Sequence, residues 1–153
     1  MSNTYTKIHL HLVFAVKYRQ ALINRAWQHE LYKYITGIIQ RQGHKVLAIN
    51  GVPDHIHILA GVRPNQSVSD LMQDVKGDSS KWINQKNLVR GRFSWQSGYG
   101  AFSCSVRELD PLIDYIKNQE AHHAKKGFIE EYREHLEKAG IAYDERFIFC
   151  DPE

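Results

Sequence analysis

Along residues 5–16 the chain alternates: Ile8, Leu10, Leu12 and Phe14 share one side of an extended backbone, and His9, His11 and Val13 share the other. A period of two is that of a β-strand. Over residues 22–42 the period changes. Trp27, Leu31, Tyr34, Ile35, Ile38 and Ile39 recur at helical spacing, predicting an amphipathic helix that Gly43 ends. Two short β-rich runs follow at 45–51 and 55–62, with Gly51, Pro53 and Asp54 supplying turn chemistry between them. Leu71, Met72, Val75, Trp82 and Ile83 mark a helix over roughly 68–87, and Ser67 or Ser69 stands where a cap belongs. Residues 99–106 read as a strand, with Gly98 and Gly100 near its start. Pro111 falls in the first turn of a further helix running to about Lys125, a position that tolerates a missing backbone N–H. A last helix covers about 128–139 and stops at Gly140.

The order β-α-β-β-α-β, followed by two helices, is that of an α+β, ferredoxin-like (RRM-like) fold, an antiparallel sheet with helices on one face. In that topology the first and third strands are central neighbours. His9, His11, His55 and His57 are then expected together on the face without helices, which needs water, a partner or a substrate to cover it. A length of 153 residues suits one domain over 1–153, and 42% hydrophobic content is enough for a core. We expect a core over 1–107, a helix over 108–126, and a C-terminal helix and tail over 127–153.

Charge refines this picture. The net charge of +3 is unevenly placed: residues 1–127 carry 17 Lys and Arg against 9 Asp and Glu, and residues 128–153 carry 3 against 8. The basic body suits a phosphate-rich partner. Residues 76–92 hold Lys76, Lys81, Lys86, Arg90 and Arg92 against Asp78 alone, although a solvated helix face and loop is the plainer reading of that run. The acidic end is either a helix packed back on the basic body or a solubilising tail. No apolar run approaches the roughly 20 residues of a membrane span, and Met1 to Tyr5 lack the layout of a signal peptide. A cytoplasmic protein is expected, with Cys104 and Cys150 reduced and in no metal or redox motif.

Two constellations carry chemistry. In Pro53-Asp54-His55-Ile56-His57 the two histidines are two apart on a strand and so point the same way, where their imidazoles can chelate one divalent ion. His9 and His11 have the same spacing but lack the Pro-Asp turn, so surface or hydrogen-bonded histidines are the plainer reading there, with supporting a ligand or lining the substrate surface as the alternative. Imidazole pairs with few carboxylates suit Zn, Mn, Ni, Cu or Fe, while phosphate chemistry commonly runs on Mg or Mn. On the later helix, Tyr115 and Gln119 are four apart and share a face. The amide oxygen can ligate a hard cation without adding charge. The hydroxyl, with a reference pKa near ~10, needs a metal or a base to act as a nucleophile. Tyr115 alone reads better as a core or surface residue of an amphipathic helix, and its co-occurrence with the histidine pair is what favours chemistry.

Together these residues resemble the small HUH single-tyrosine transposases of bacterial and archaeal insertion sequences (transposase A type). The likeness covers almost the whole chain. It rests on Lys17-Tyr18-Arg19, Pro53-Asp54-His55-Ile56-His57, Trp95-Gln96 with Tyr99-Gly100-Ala101-Phe102-Ser103, and Tyr115-Ile116-Lys117-Asn118-Gln119 before His122-His123. The resemblance implies that His55, His57 and Gln119 hold Mg or Mn and that Tyr115 attacks single-stranded DNA to give a 5′-phosphotyrosine. It implies a homodimer whose tyrosine helix can complete the partner's site, hairpins at element ends as partners, association with the nucleoid, and no need for ATP or a membrane. Lys17, Tyr18, Arg19, Lys76, Lys81, Arg90 and Arg92 are expected to meet DNA. Tyr18, Trp82 and Trp95 could stack on bases, with core packing the plainer alternative. Two other readings stay open: a metal-dependent phosphodiesterase that uses water, and a non-catalytic nucleic-acid-binding module.

Overall fold

A computed structural model of the chain describes residues 3–123 and 127–143. The expected helical run to Lys125, the tail beyond 143 with Cys150, and the side chains of His122 and His123 lie outside the described residues. Four strands, β1 (Ile8–Ala15), β2 (Lys45–Val52), β3 (His55–Val62) and β4 (Gly100–Cys104), form one antiparallel sheet in the order β2-β3-β1-β4. This is the ferredoxin-like order the pattern predicts, with β1 and β3 in the centre. Helices α1 (Gln28–Arg41) and α2 (Val68–Gln85) cover one face. There Leu12, Phe14, Ile56 and Ile58 from the sheet join Leu31, Ile35, Leu71 and Val75 from the helices in the main core.

Local hydrogen bonding decides where the helices begin. Ser67 caps α2, its side chain accepting from the Asp70 N–H at 3.1 Å. The first helix starts at Gln28 rather than near residue 22. The Ile23 N–H donates to the Pro53 carbonyl at 3.0 Å, and Asn24 Oδ1 accepts from the Ala26 N–H at 2.8 Å. These bonds tie residues 23–26 to the β2–β3 turn before helical geometry sets in.

The opposite face is covered by the chain's own helices, which corrects the expectation that water, a partner or a substrate is needed there. Helices α3 (Leu109–Lys117), α4 (Gln119–His123) and α5 (Phe128–Lys138) follow β4. Ile116 of α3 packs on Ala48 and Leu59. Phe128, Tyr132 and Leu136 of α5, spaced four apart, pack on Val13, Ala15 and Phe102. Gly100 makes room for this helix, since a β-carbon there would come within 2.8 Å of the Tyr132 ring. No helix among the described residues is long and apolar enough to cross a membrane.

The single helix expected after Pro111 is broken at Asn118 (φ −102°, ψ 27°). Asn50 of β2 is the reason: its Nδ2 donates to the carbonyls of Ile116 (3.1 Å) and Lys117 (3.0 Å). In an unbroken helix those oxygens would accept from residues four further on.

Candidate metal and tyrosine site

β3 supplies the imidazoles. Its pleat sends Ile56 and Ile58 into the main core and His55 and His57 to the other face, beneath α3 and α5. Both histidines are fully buried. His55 Nδ1 lies 2.7 Å from Asp54 Oδ1, which leaves Nε2 as its ligand atom, and the Phe128 ring stacks on it with centroids 4.0 Å apart. His57 Nδ1 lies 2.8 Å from His11 Nε2, and His57 Nε2 lies 3.1 Å from Glu131 Oε1. Burial lowers the His57 pKa to about 3 despite the opposing contact with Glu131, and burial with the neighbouring His57 holds His11 well below 6.5. Both rings are therefore neutral near pH 7, the state in which imidazole ligates a metal. A donor–acceptor pair through the other ring nitrogen fixes the tautomer and aims the ligand atom.

Tyr115 comes to the same place from α3. Its ring centroid is 5.8 Å from that of His57 and 6.4 Å from that of His11, and its hydroxyl is 3.3 Å from His135 Nε2 on α5. Burial raises the phenol well above its ordinary pKa, and the Glu131 carboxylate raises it further. A cleft of about 670 Å³ opens beside these groups, lined among others by His11, Phe102, Tyr115, Glu131 and His135. Gln119, one turn beyond Tyr115, is fully buried. Its Nε2 donates weakly to the Tyr115 carbonyl at 3.4 Å, and its Oε1 makes no hydrogen bond among the described residues. A buried amide oxygen that accepts no hydrogen bond among the described residues is a neutral donor of the kind a divalent cation takes.

The structure thus brings His55, His57 and Tyr115 together, with Gln119 on the adjoining turn. His11 joins them through His57, whereas His9 lies apart, opposite Gly61 and Cys104. Sequence reasoning missed Glu131 and His135. The donor atoms of His55, His57 and Glu131 all lie within 4.8 Å of one another, as do those of His11, His57 and His135. The available signal was an acid and a histidine four apart, each one residue before the apolar stripe of Tyr132 and Leu136.

The residues expected to meet DNA divide. Lys17, Tyr18 and Arg19 form a tight turn after β1, with Tyr18 and Arg19 left-handed at φ 62° and 50°. Val16 N–H donates to the Asp54 carbonyl (2.8 Å) and Lys17 N–H to the Ser94 carbonyl (3.0 Å), which fixes that turn at the His55 end of the sheet. Lys81 and Arg92 are exposed beside a groove that Ser94 and Asn84 also line, and Arg90 is exposed on the loop after α2. Lys76 lines the same groove, but its Nζ donates to the carbonyls of Gln96 (2.7 Å) and Gly98 (2.9 Å) and so pins a loop. Trp95 is core, its Nε1 donating to Ser79 Oγ at 2.9 Å, and Trp82 stacks on Tyr34.

A family model described as "Transposase IS200 like" matches residues 4–119. The chain is 25% identical over 118 residues to the ISDra2 transposase TnpA of Deinococcus radiodurans, spanning 74% of this chain and 84% of that one. It is 27% identical over 124 residues to the transposase for insertion sequence element IS200 of Salmonella typhimurium, spanning 78% and 81%. Its fold is similar to the crystal structure of a transposase candidate from Deinococcus radiodurans (TM-score 0.60, 24% identity, 78% of this chain and 95% of that chain). It is also similar to a solved structure of a REP-associated tyrosine transposase bound to a REP hairpin (TM-score 0.60, 14% identity, 84% of this chain and 74% of that chain).

Proposed function

Because this chain belongs to the family of IS200-like transposases, we propose that it cuts and rejoins single-stranded DNA at insertion-sequence ends through a 5′-phosphotyrosine on Tyr115. The Tyr115 oxygen attacks a phosphodiester phosphorus. The bond to the 3′ oxygen breaks, and that oxygen takes a proton and leaves as a 3′-hydroxyl. A second DNA 3′-hydroxyl then attacks the tyrosyl phosphate and restores the phenol. Phosphoester bonds are conserved at each step, so no ATP is consumed. His55, His57 and Gln119 would hold Mg or Mn, which when bound neutralises charge on the phosphate and aligns the attack.

The observation that carries this reading is the approach of the Tyr115 ring to 5.8 Å from His57, beside an accessible cleft. The raised pKa of the phenol means its proton needs an acceptor, and the His135 imidazole, 3.3 Å from the hydroxyl, is placed to receive it. Lys17, Arg19, Lys81, Arg90 and Arg92 would hold the DNA backbone, with Tyr18 stacking on a base. A structural neighbour holds a REP hairpin, and we extend hairpin binding to this chain, which would act in the cytoplasm as a single domain over 1–153. The homodimer of the resemblance is part of the proposal, although the approach of Tyr115 to His57 within one chain supports a site that one subunit can assemble.

The test is incubation of labelled single-stranded DNA from the flanking genomic element with Mn²⁺, read by denaturing electrophoresis. The wild-type chain should yield a covalent protein–DNA species. Tyr115→Phe should lower its formation by about 10³-fold or more while leaving DNA binding in place. Cleavage by the Phe variant would remove Tyr115 from the role. Turnover with no adduct in the wild type would favour the phosphodiesterase that uses water.

A further inference from the structure

We propose that Glu131 is a further ligand of the cation held by His55 and His57, so that the ion sits between two imidazoles and one carboxylate. The inference rests on the proposed metal site and extends it to α5, a helix beyond the segment that matches the family model. Three observations carry it. The Glu131 side chain is buried, at 4% exposure, while Glu130 and Glu137 of the same helix are exposed. Its Oε1 lies 3.1 Å from His57 Nε2 and 4.0 Å from His135 Nε2. Donor atoms of His55, His57 and Glu131 fall within one 4.8 Å cluster. Ligand atoms about 2.1 Å from a shared ion stand roughly 3 to 3.5 Å apart. The His57–Glu131 pair already has that spacing, and small side-chain rotations close the rest.

Packing puts the carboxylate there. Phe128 stacks on His55, Tyr132 fills the space above Gly100, and Leu136 lies in the same cluster, so α5 is anchored on both sides of Glu131. A carboxylate taken out of water is costly unless positive charge and hydrogen bonds meet it, and a divalent ion beside it supplies that charge. Two imidazoles and a carboxylate suit Mn²⁺ and its neighbours in the first transition row better than Mg²⁺, and they leave positions open for phosphate oxygens.

The experiment is calorimetric titration of the metal-free full chain with Mn²⁺, checked by the paramagnetic resonance signal of the free ion; DNA cleavage is not the readout. The wild type should bind Mn²⁺, and E131Q, nearly isosteric, should bind it about tenfold more weakly or worse, with His57→Ala weakened as well. Wild-type affinity in E131Q alongside weakened binding in His57→Ala overturns the role of Glu131 and leaves the metal site standing. Wild-type affinity in His57→Ala overturns the metal site itself. Thermal melting without metal checks that each variant folds. If E131Q does not fold, Glu131→Asp, whose carboxylate is drawn back by one methylene, is titrated instead, with the same weakening expected and the same affinity overturning the proposal.

Discussion

His57 gathers contacts from three segments: His11 on β1, Glu131 on α5 and the Tyr115 ring on α3. Its burial has a consequence for stability. The unfolded chain takes up a proton at this ring below about pH 6.5, whereas the folded chain resists it until about pH 3. Between those values the unfolded state binds more protons, so stability that is fully present above about pH 6.5 drains away as the pH falls. His11, displaced in the same direction, adds to the decline. At pH 5 the His57 contribution is on the order of 2 kcal/mol. Urea unfolding in metal-free buffer should show the midpoint falling from pH 7.5 to pH 5, and His57→Gln should flatten that slope. An unchanged slope in the variant would show that His57 protonates within the fold. Spacing put His55 with His57 on one strand face and Tyr115 with Gln119 on one helix face, but His9 and His11 share the first spacing, and only the resemblance gave the four residues their expected roles. Glu131 was not legible, because an acid among acids reads as solvated until Phe128 and Tyr132 are seen to bury the helix.

At the scale of elements, the sequence's periodicities located all four strands and the helices around them, because each buries a face of its own. It could not show the break between α3 and α4. Periodicity reports which positions are apolar, and the break comes from a polar side chain 66 and 67 residues away, Asn50, competing for backbone carbonyls. The delayed start of α1 has the same kind of cause, in bonds from Ile23 and Asn24. Asn50→Ala removes the Nδ2 donor that the Ile116 and Lys117 carbonyls share, leaving Ile116 only the Asn118 N–H. It should destabilise the chain by about 1 kcal/mol in urea unfolding, the net worth of such bonds when one partner is partly exposed. A change indistinguishable from zero would mean that the apolar contacts of Ile116 with Ala48 and Leu59 alone hold the break in place.

Over the whole molecule, the acidic helix and the basic turn pack on different elements. The acidic α5 lies on one face of the sheet beside Tyr115, with Phe128, Tyr132 and Leu136 as its buried stripe. The basic turn Lys17–Arg19 is tied through its backbone to Ser94, which lines the α2 groove with Lys81 and Arg92; these cations make up the strip proposed to meet DNA. The sequence showed the sign of each half but not their places, because a linear charge count carries no information about which face a segment packs on. If the strip tracks a DNA backbone, each cation meeting a phosphate displaces condensed counterions, and affinity falls with salt in proportion to the number of phosphates so neutralised. Replacing Lys81 and Arg92 together, each by Gln, should therefore reduce the slope of log affinity against log salt by about 0.7 for each phosphate left without its cation on single-stranded DNA. Fluorescence anisotropy of a labelled oligonucleotide across about 50 to 200 mM salt reads that slope. Lys33→Gln on α1, outside the strip, serves as the control and should leave it unchanged. Equal slopes in the double variant and the control would take the groove out of the DNA path and leave the turn at Lys17–Arg19 as the remaining basic part of the strip.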